Sequence, residues 1–380
     1  MHFYFRRFLG LRKNSKPIRL PARGQSQGNV LISYITWPFQ EGYNVPRARG
    51  HTNAFEVVAM ATAYQELGYC VDVINYDQHD YHPSLDYSVA IDLHGQLEGW
   101  NAFLPKKCHR ILHATGPHWL LWNYSELKRL SALRDRKGAV LLPQRQVAPS
   151  HSASLADQIV VLGNDYTAGS FQFADKPLTR VPLSSAYEFS YPQERDFSLA
   201  KKNFLWVGSY GMVHKGLDLV LDAFARMPEL SLTVCGRPEK EEDFFRLYEK
   251  ELLHTPNINF HGWIDMASEA FTQIAKTHAG IIYPSSAEGG AGSVIHSMHA
   301  GMVPICTEEA SVDLGNFGIS IKDGSVEAVM EAALQFASFS DSEIAERARA
   351  SYDHVRKYHT RDAFKKNYKI FADTLVNSIV

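Results

Sequence analysis

Cysteine is scarce in this chain, and the little there is lies scattered. Cys70, Cys108, Cys235 and Cys306 are far apart, with no CxxC pair and no zinc-ligand spacing. That pattern excludes a disulfide framework, and buried free thiols in a reducing cytoplasm are expected. No apolar run approaches the roughly 18–20 residues that a membrane-spanning helix needs. An excess of one charge is missing too. The 39 Lys and Arg oppose 41 Asp and Glu, a formal net charge of −2, and nothing in that balance points to nucleic acid. There is no low-complexity tract or short repeat. No DxD pair stands at a strand end.

What is present reads as a folded α/β protein. The 380 residues are 45% hydrophobic and 12% aromatic, enough for two or three domains with sizeable cores. The first 16 residues, MHFYFRRFLGLRKNSK, interleave aromatic and basic side chains without the continuous apolar region of a secretory signal. Such a segment suits peripheral contact with an anionic membrane surface, and residues 1–27 read as a basic, aromatic tail.

Two halves of similar pattern follow. NVLISYITW (29–37) reads as a strand, and the loop EGYNVPRARGHTN leads to a helix over 54–67. That helix ends at Gly68, before the strand CVDVINY (70–76). Strand, glycine loop, helix and strand make a βαβ unit and imply a parallel sheet. Further buried strands are expected at 88–95, 109–116 and 157–163, with a polar helix over 123–138. Residues 182–203 turn polar and aromatic and read as the interdomain connection. The pattern then resumes with a strand at 204–209, a helix over 216–227, and strands at 230–236, 258–264, 279–285 and 302–307. Each half therefore reads as a Rossmann-like domain, one spanning 28–190 and the other 200–359. Ligands of such sheets bind beyond the carboxyl ends of the strands, so loops of both halves should face one cleft.

The chemistry concentrates in two loops of the second half. FLWVGSYGMVHKG (204–216) carries glycines that let backbone approach a ligand, and Lys215 stands at the start of the following helix, where an anion is favoured. In PSSAEGGAGSVIHSMHAG (284–301), Glu288 precedes Gly289, Gly290, Ala291, Gly292 and Ser293 at another helix start. A carboxylate there can accept hydrogen bonds from paired sugar hydroxyls, or cap the helix.

The two loops together resemble the retaining glycosyltransferases of the GT-B fold, family four. VGSYGMVHKG is similar to that family's strand-VG…KG-helix loop. PSSAEGGAGSVIHSMHAGMVPI is similar to its carboxylate motif, with Glu288, Met298, Gly301 and Pro304 at matching positions. Two residues depart from the pattern. Ser209 stands where a basic residue usually follows VG, and His296 stands where a second glutamate holds the nucleotide ribose.

The resemblance implies two Rossmann-like domains facing a cleft, with the acceptor on the first domain and a nucleotide-sugar donor on the second. It also implies that a C-terminal helix over 360–380 crosses back to the first domain. The donor site would comprise Gly208, Ser209, Lys215, Glu288, Gly289, Gly290, Ala291, Gly292, Ser293 and His296. Glu288 and Lys215 would act at the reacting sugar and diphosphate. Gly50, His51 and Thr52 take the place of the family's first-domain glycine loop. His113 is the best match to a first-domain histidine near the donor sugar, with His94 and His118 as competitors. The implied reaction is metal-independent hexosyl transfer, with retention, to a glycan, lipid-linked or small-molecule acceptor. It would need no cofactor beyond the donor and would serve cell-envelope polysaccharide or glycoconjugate synthesis. Ser209 and His296 also admit a non-catalytic GT-B partner or regulatory subunit.

Overall fold

The computed structural model describes residues 16–45, 48 and 51–379. The basic tail up to residue 15, and Gly50, lie outside the described residues.

Two sheets organise the chain. The first holds β1 (Ile18–Leu20), β2 (Gly28–Tyr34), β3 (Tyr69–Asn75), β4 (Val89–Asp92), β5 (His109–Ala114), β6 (Gln158–Val161) and β7 (Leu178–Arg180), in the order β1-β3-β2-β4-β5-β6-β7. All neighbours pair in parallel except β1, which runs antiparallel to β3. β1 falls in the stretch read from sequence as tail. Three residues with a basic centre, IRL, carry no alternating signal of their own. They are held by pairing with β3 and by Arg19, whose guanidinium donates to Asp72 at 2.7 Å.

The second sheet is fully parallel. It runs β10 (Ile258–Gly262), β9 (Ser231–Gly236), β8 (Asn203–Gly208), β11 (Gly280–Tyr283), β12 (Val303–Cys306) and β13 (Ile319–Ser320). Its central strands, with FLWV in β8 and GIIY in β11, are continuously apolar because both of their faces are buried. Val30, Leu31 and Ile32 in one sheet, and Phe204, Leu205 and Trp206 in the other, are fully buried.

The strand order sets where a ligand can go. In the first sheet the chain leaves β2 to one side for β3 and returns to the other for β4. In the second it leaves β8 for β9 and returns for β11. Each reversal opens a crevice at the carboxyl ends of the central strands. The loops after β2 and β4 therefore face those after β8 and β11.

Helices complete the joint between the domains. The expected helix of the first βαβ unit is α1 (Asn53–Glu66), and the polar helix is α2 (Trp119–Lys137), closed by Gly138 at φ 68°. In the second domain α3 (Leu217–Phe224) follows β8 and α4 (Gly292–His299) follows β11. The chain ends with α5 (Asp341–Tyr358) and α6 (Arg361–Ile379). α6 returns to the first domain and packs on α1, with Phe364 edge-on to Phe55 and Tyr368 edge-on to Tyr64. Among the described residues no helix is long and apolar enough to cross a membrane.

Candidate active site

The loop after β8 ends at Gly216, which precedes α3 with φ 72°. A Cβ at that position would stand 2.3 Å from the Pro284 carbonyl oxygen. Glycine thus supplies both the left-handed backbone and the close approach to the loop after β11. That second loop is pinned along its length. Ser286 N–H donates to His214 O at 2.8 Å, Thr307 Oγ1 to Ser285 O at 2.6 Å, and Glu288 N–H to Glu309 O at 2.8 Å.

The two loops bring Lys215 and Glu288 together. Lys215 Nζ donates to Glu288 Oε1 at 2.6 Å and to the Tyr283 hydroxyl at 2.8 Å. Both side chains are about nine-tenths buried. The helix-start lysine is thus a buried partner of the carboxylate. Glu288 does not cap α4: Ala291 holds the N-cap position, and no side chain caps that end. Burial works to raise the Glu288 carboxyl, but the Lys215 ammonium, then the Arg145 guanidinium, outweigh it and bring it down to about 2. Burial likewise pushes the Lys215 ammonium down, against the pull of Glu288. Glu288 is therefore an anion at neutral pH.

Beyond this pair opens a cavity of 610 Å³ between the two domains. Glu288, Gly289, Gly290 and Gly292 form its second-domain wall. The opposite wall includes His51, Thr52, His94, Gly116, His118 and Arg145. Arg145 was not legible as a site residue; it sits outside any motif, 143 positions from Glu288 in sequence, yet its Nη2 lies 4.0 Å from Glu288 Oε2. The β4 end is organised by buried Asp92, which accepts from the N–H groups of His94, Gln96 and Leu97 and from Ser152 Oγ.

Residues 201–338 match the family model of glycosyl transferases group 1. That segment is similar to group 1 glycosyltransferases, and the chain as a whole has a GT-B fold. No curated protein matches the sequence. Among solved structures the fold is similar to that of WaaG, a glycosyltransferase involved in lipopolysaccharide biosynthesis. The TM-score is 0.53 at 14% identity, covering 90% of this chain and 98% of that one. HepE from Anabaena, in complex with UDP and glucose, gives 0.54 at 10% identity, over 92% and 99%. TarM from S. aureus, in complex with UDP among other ligands, gives 0.51 at 11% identity, over 74% of this chain but only 54% of TarM. The chain thus spans about half of TarM's length. At such identities the likeness is one of fold.

Not every expected site residue reaches the cavity. His113 does not. It lies at 0% exposure beneath the β5 end, edge-on to Tyr34 and Tyr368, with neither ring nitrogen hydrogen-bonded. Burial brings its pKa down to about 4, so the ring is neutral. Its side chain points to the α6 side of the sheet, whereas the loop beyond β5 carries His118 to the cavity wall. His296 does not line the cavity either. Its Nε2 accepts from the Ala186 N–H at 2.9 Å, and the ring packs on Tyr187 in the interdomain connection. Burial lowers it to about 3, which leaves that acceptor nitrogen free of a proton. Ser209 is exposed, Gly208 and Ala291 are buried, and none of the three lines the cavity. Ser293 is half-buried at the first turn of α4.

Proposed function

We propose that this protein is a retaining glycosyltransferase moving a hexose from a nucleotide-sugar to a glycan, lipid-linked or small-molecule acceptor. The observation that carries the reading is the buried Lys215–Glu288 pair beside the uncapped start of α4, opening on an interdomain cavity. Unpaired N–H groups and a cation at such a point favour a diphosphate. Glu288, kept ionised by its neighbours, is an acceptor for donor-sugar hydroxyls. Residues 200–359 would hold the donor. Residues 28–190, completed by α6, would present the acceptor, with His118 and His94 as the first-domain histidines facing it.

In the proposed step the bond between the anomeric carbon and the diphosphate oxygen breaks. Its electron pair leaves with the diphosphate, and the acceptor oxygen bonds to the same carbon from the same face. The acceptor's proton passes to a leaving-phosphate oxygen. Lys215 and helix-start amides stabilise the departing charge, a role that needs no metal ion. WaaG, by its description, serves lipopolysaccharide biosynthesis, and a cell-envelope acceptor made at the inner face of the membrane is the corresponding reading here.

Thermal unfolding with a panel of nucleoside diphosphates and their sugar conjugates tests this, UDP first because HepE and TarM were solved with it. A ligand at one hundred times its Kd adds about 2.7 kcal/mol of stability. A shift with one base, lost in Lys215→Ala, supports the transferase; no shift with any donor sinks it. A second reading, a non-catalytic GT-B partner, is favoured by His296, whose ring is engaged with Ala186 rather than turned to the cavity. That reading predicts the flat result.

A further inference from the structure

Lys215 and Glu288 neutralise one another, so the second domain's own loops bring no surplus side-chain charge to a diphosphate. Ser209, exposed at the end of β8, adds none. The surplus comes from the other domain. Arg145 crosses the cleft from a loop that α2 holds in place through a set of hydrogen bonds. Glu126 Oε1 accepts from the Gln144 and Arg145 N–H groups at 2.9 and 2.8 Å. Asn123 Oδ1 accepts from the Val147 N–H at 2.9 Å, and Trp122 Nε1 donates to Arg145 O. Glu126 is 2% exposed, so this anchor is a built feature of the interior.

The side chain is equally placed. Its guanidinium lies between the Trp122 ring of its own domain, 5.4 Å away, and the Tyr210 ring of the second-domain loop, 4.7 Å away. That loop is shaped around it, since a Cβ on Gly211 would stand 2.5 Å from Arg145 Cγ. Buried Glu241 holds the same turn from behind, accepting from the Gly211 and Met212 N–H groups. Arg145 Nε is buried without a hydrogen-bond partner, and Nη2 stops 4.0 Å from Glu288 Oε2. A buried guanidinium with its Nε donor unspent beside a cavity is a costly arrangement unless an anion completes it. The three side chains Lys215, Arg145 and Glu288 together carry one net positive charge, while Glu126 and Glu241 behind them are taken up by backbone N–H groups.

We propose that Arg145 is a diphosphate-binding residue supplied by the first domain, which with Lys215 grips the donor from both sides of the cleft. The inference rests on the nucleotide-sugar reading above and adds to it that donor binding and domain closure are one event. A planar guanidinium suits two phosphate oxygens at once, which an ammonium does not.

Isothermal titration decides it, using the nucleoside diphosphate that stabilises the wild-type protein, the matching unphosphorylated nucleoside, and the variants Arg145→Gln and Arg145→Lys. The expected result is at least a tenfold rise in Kd for the diphosphate in Arg145→Gln, an intermediate rise in Arg145→Lys, and no change for the nucleoside. Equal affinities in wild type and Arg145→Gln would overturn the proposal. So would a loss shared equally by nucleoside and diphosphate, which marks a structural role. If no nucleoside diphosphate binds the wild-type protein, the donor reading itself falls and takes this inference with it.

Discussion

Gly289 of the second domain lies against Thr115 of the first, so close that a Cβ on it would stand 1.9 Å from the Thr115 carbonyl oxygen. Backbone meets backbone at the floor of the cavity, and no flexible side chain is there to yield. Gly289→Ala is therefore expected to wedge the domains apart while leaving each fold intact. The proposed transfer activity should fall at least tenfold, with a larger radius of gyration in solution scattering and unchanged circular dichroism. Wild-type activity in this variant would mean that the contact is dispensable.

Breaking the buried pair should cost more than removing it. Lys215→Ala leaves the Glu288 carboxylate buried beside Tyr283 and Ser285 with only Arg145 in reach, at a cost of about 3–5 kcal/mol. Lys215→Ala with Glu288→Gln should recover part of that loss, since neither member of the pair is then charged. Denaturant unfolding of the single and double variants gives the coupling; strict additivity would refute it.

Buried histidines make acid the weak side of this fold. Burial, the leading cause at each, lowers His113, His278 and His359 to about 4, and His214 and His296 to about 3. The unfolded chain takes up these protons near pH 6.5 and the folded one only well below. Between those values the unfolded state binds more protons, so stability is lost as pH falls. Each group contributes up to about 1.4 kcal/mol per pH unit in that window. Glu288 adds its own loss lower down, as pH falls from about 4.5 towards its folded value near 2. The melting temperature should drop markedly from pH 7 to pH 5; a flat profile would contradict the burial of these rings.

Away from the cavity, α2 and α3 are joined across the domains by charge. Arg136 donates to Asp218 at 2.6 Å and to Asp222 at 2.7 Å, and Asp218 is 1% exposed. Arg136→Ala strands Asp218, whose carboxyl burial already pushes upward, and should lower stability by about 3 kcal/mol or more. Arg136→Ala with Asp218→Asn should restore much of it. A melting temperature unchanged in the single variant would show that the interface does not need this pair.

The return of α6 predicts that the chain's end belongs energetically to its beginning. Tyr368 is fully buried between Tyr64 and His113. Tyr368→Ala should cost about 3–5 kcal/mol, in the range of large core truncations. Hydrogen exchange should localise the loosening to α1 and β5 in the first domain; exchange faster only in the second domain would contradict the packing.

The alternation of strands and helices was legible because buried parallel strands leave continuous apolar runs and helices leave a 3.6-residue period. The strand at 204–209 is β8 to within a residue, and the helix read over 54–67 is α1. The start of the sheet was not legible: β1 has three residues and exists through its pairing with β3. In the site, Lys215 and Glu288 stood out through the glycines around them, since loops that approach one another closely need such residues. Arg145 gave no signal, because its role depends on Trp122, Glu126, Tyr210 and Gly211 converging from separate elements. The histidines could not be ranked. Within β5 the pleat alone decides which face a side chain takes, and it turns His113 into the core.

The sequence by itself determined the parallel strands of the two sheets, the glycine turns after β8 and β11, and the likeness of 201–338 to group 1 glycosyltransferases, because each follows from local pattern and spacing. Only the tertiary structure decided that Lys215 neutralises Glu288, that Arg145 reaches them from the other domain, and that His296 faces Ala186. Those relationships are set by distances between residues far apart in the chain, and burial there fixes both the charge states and the partners.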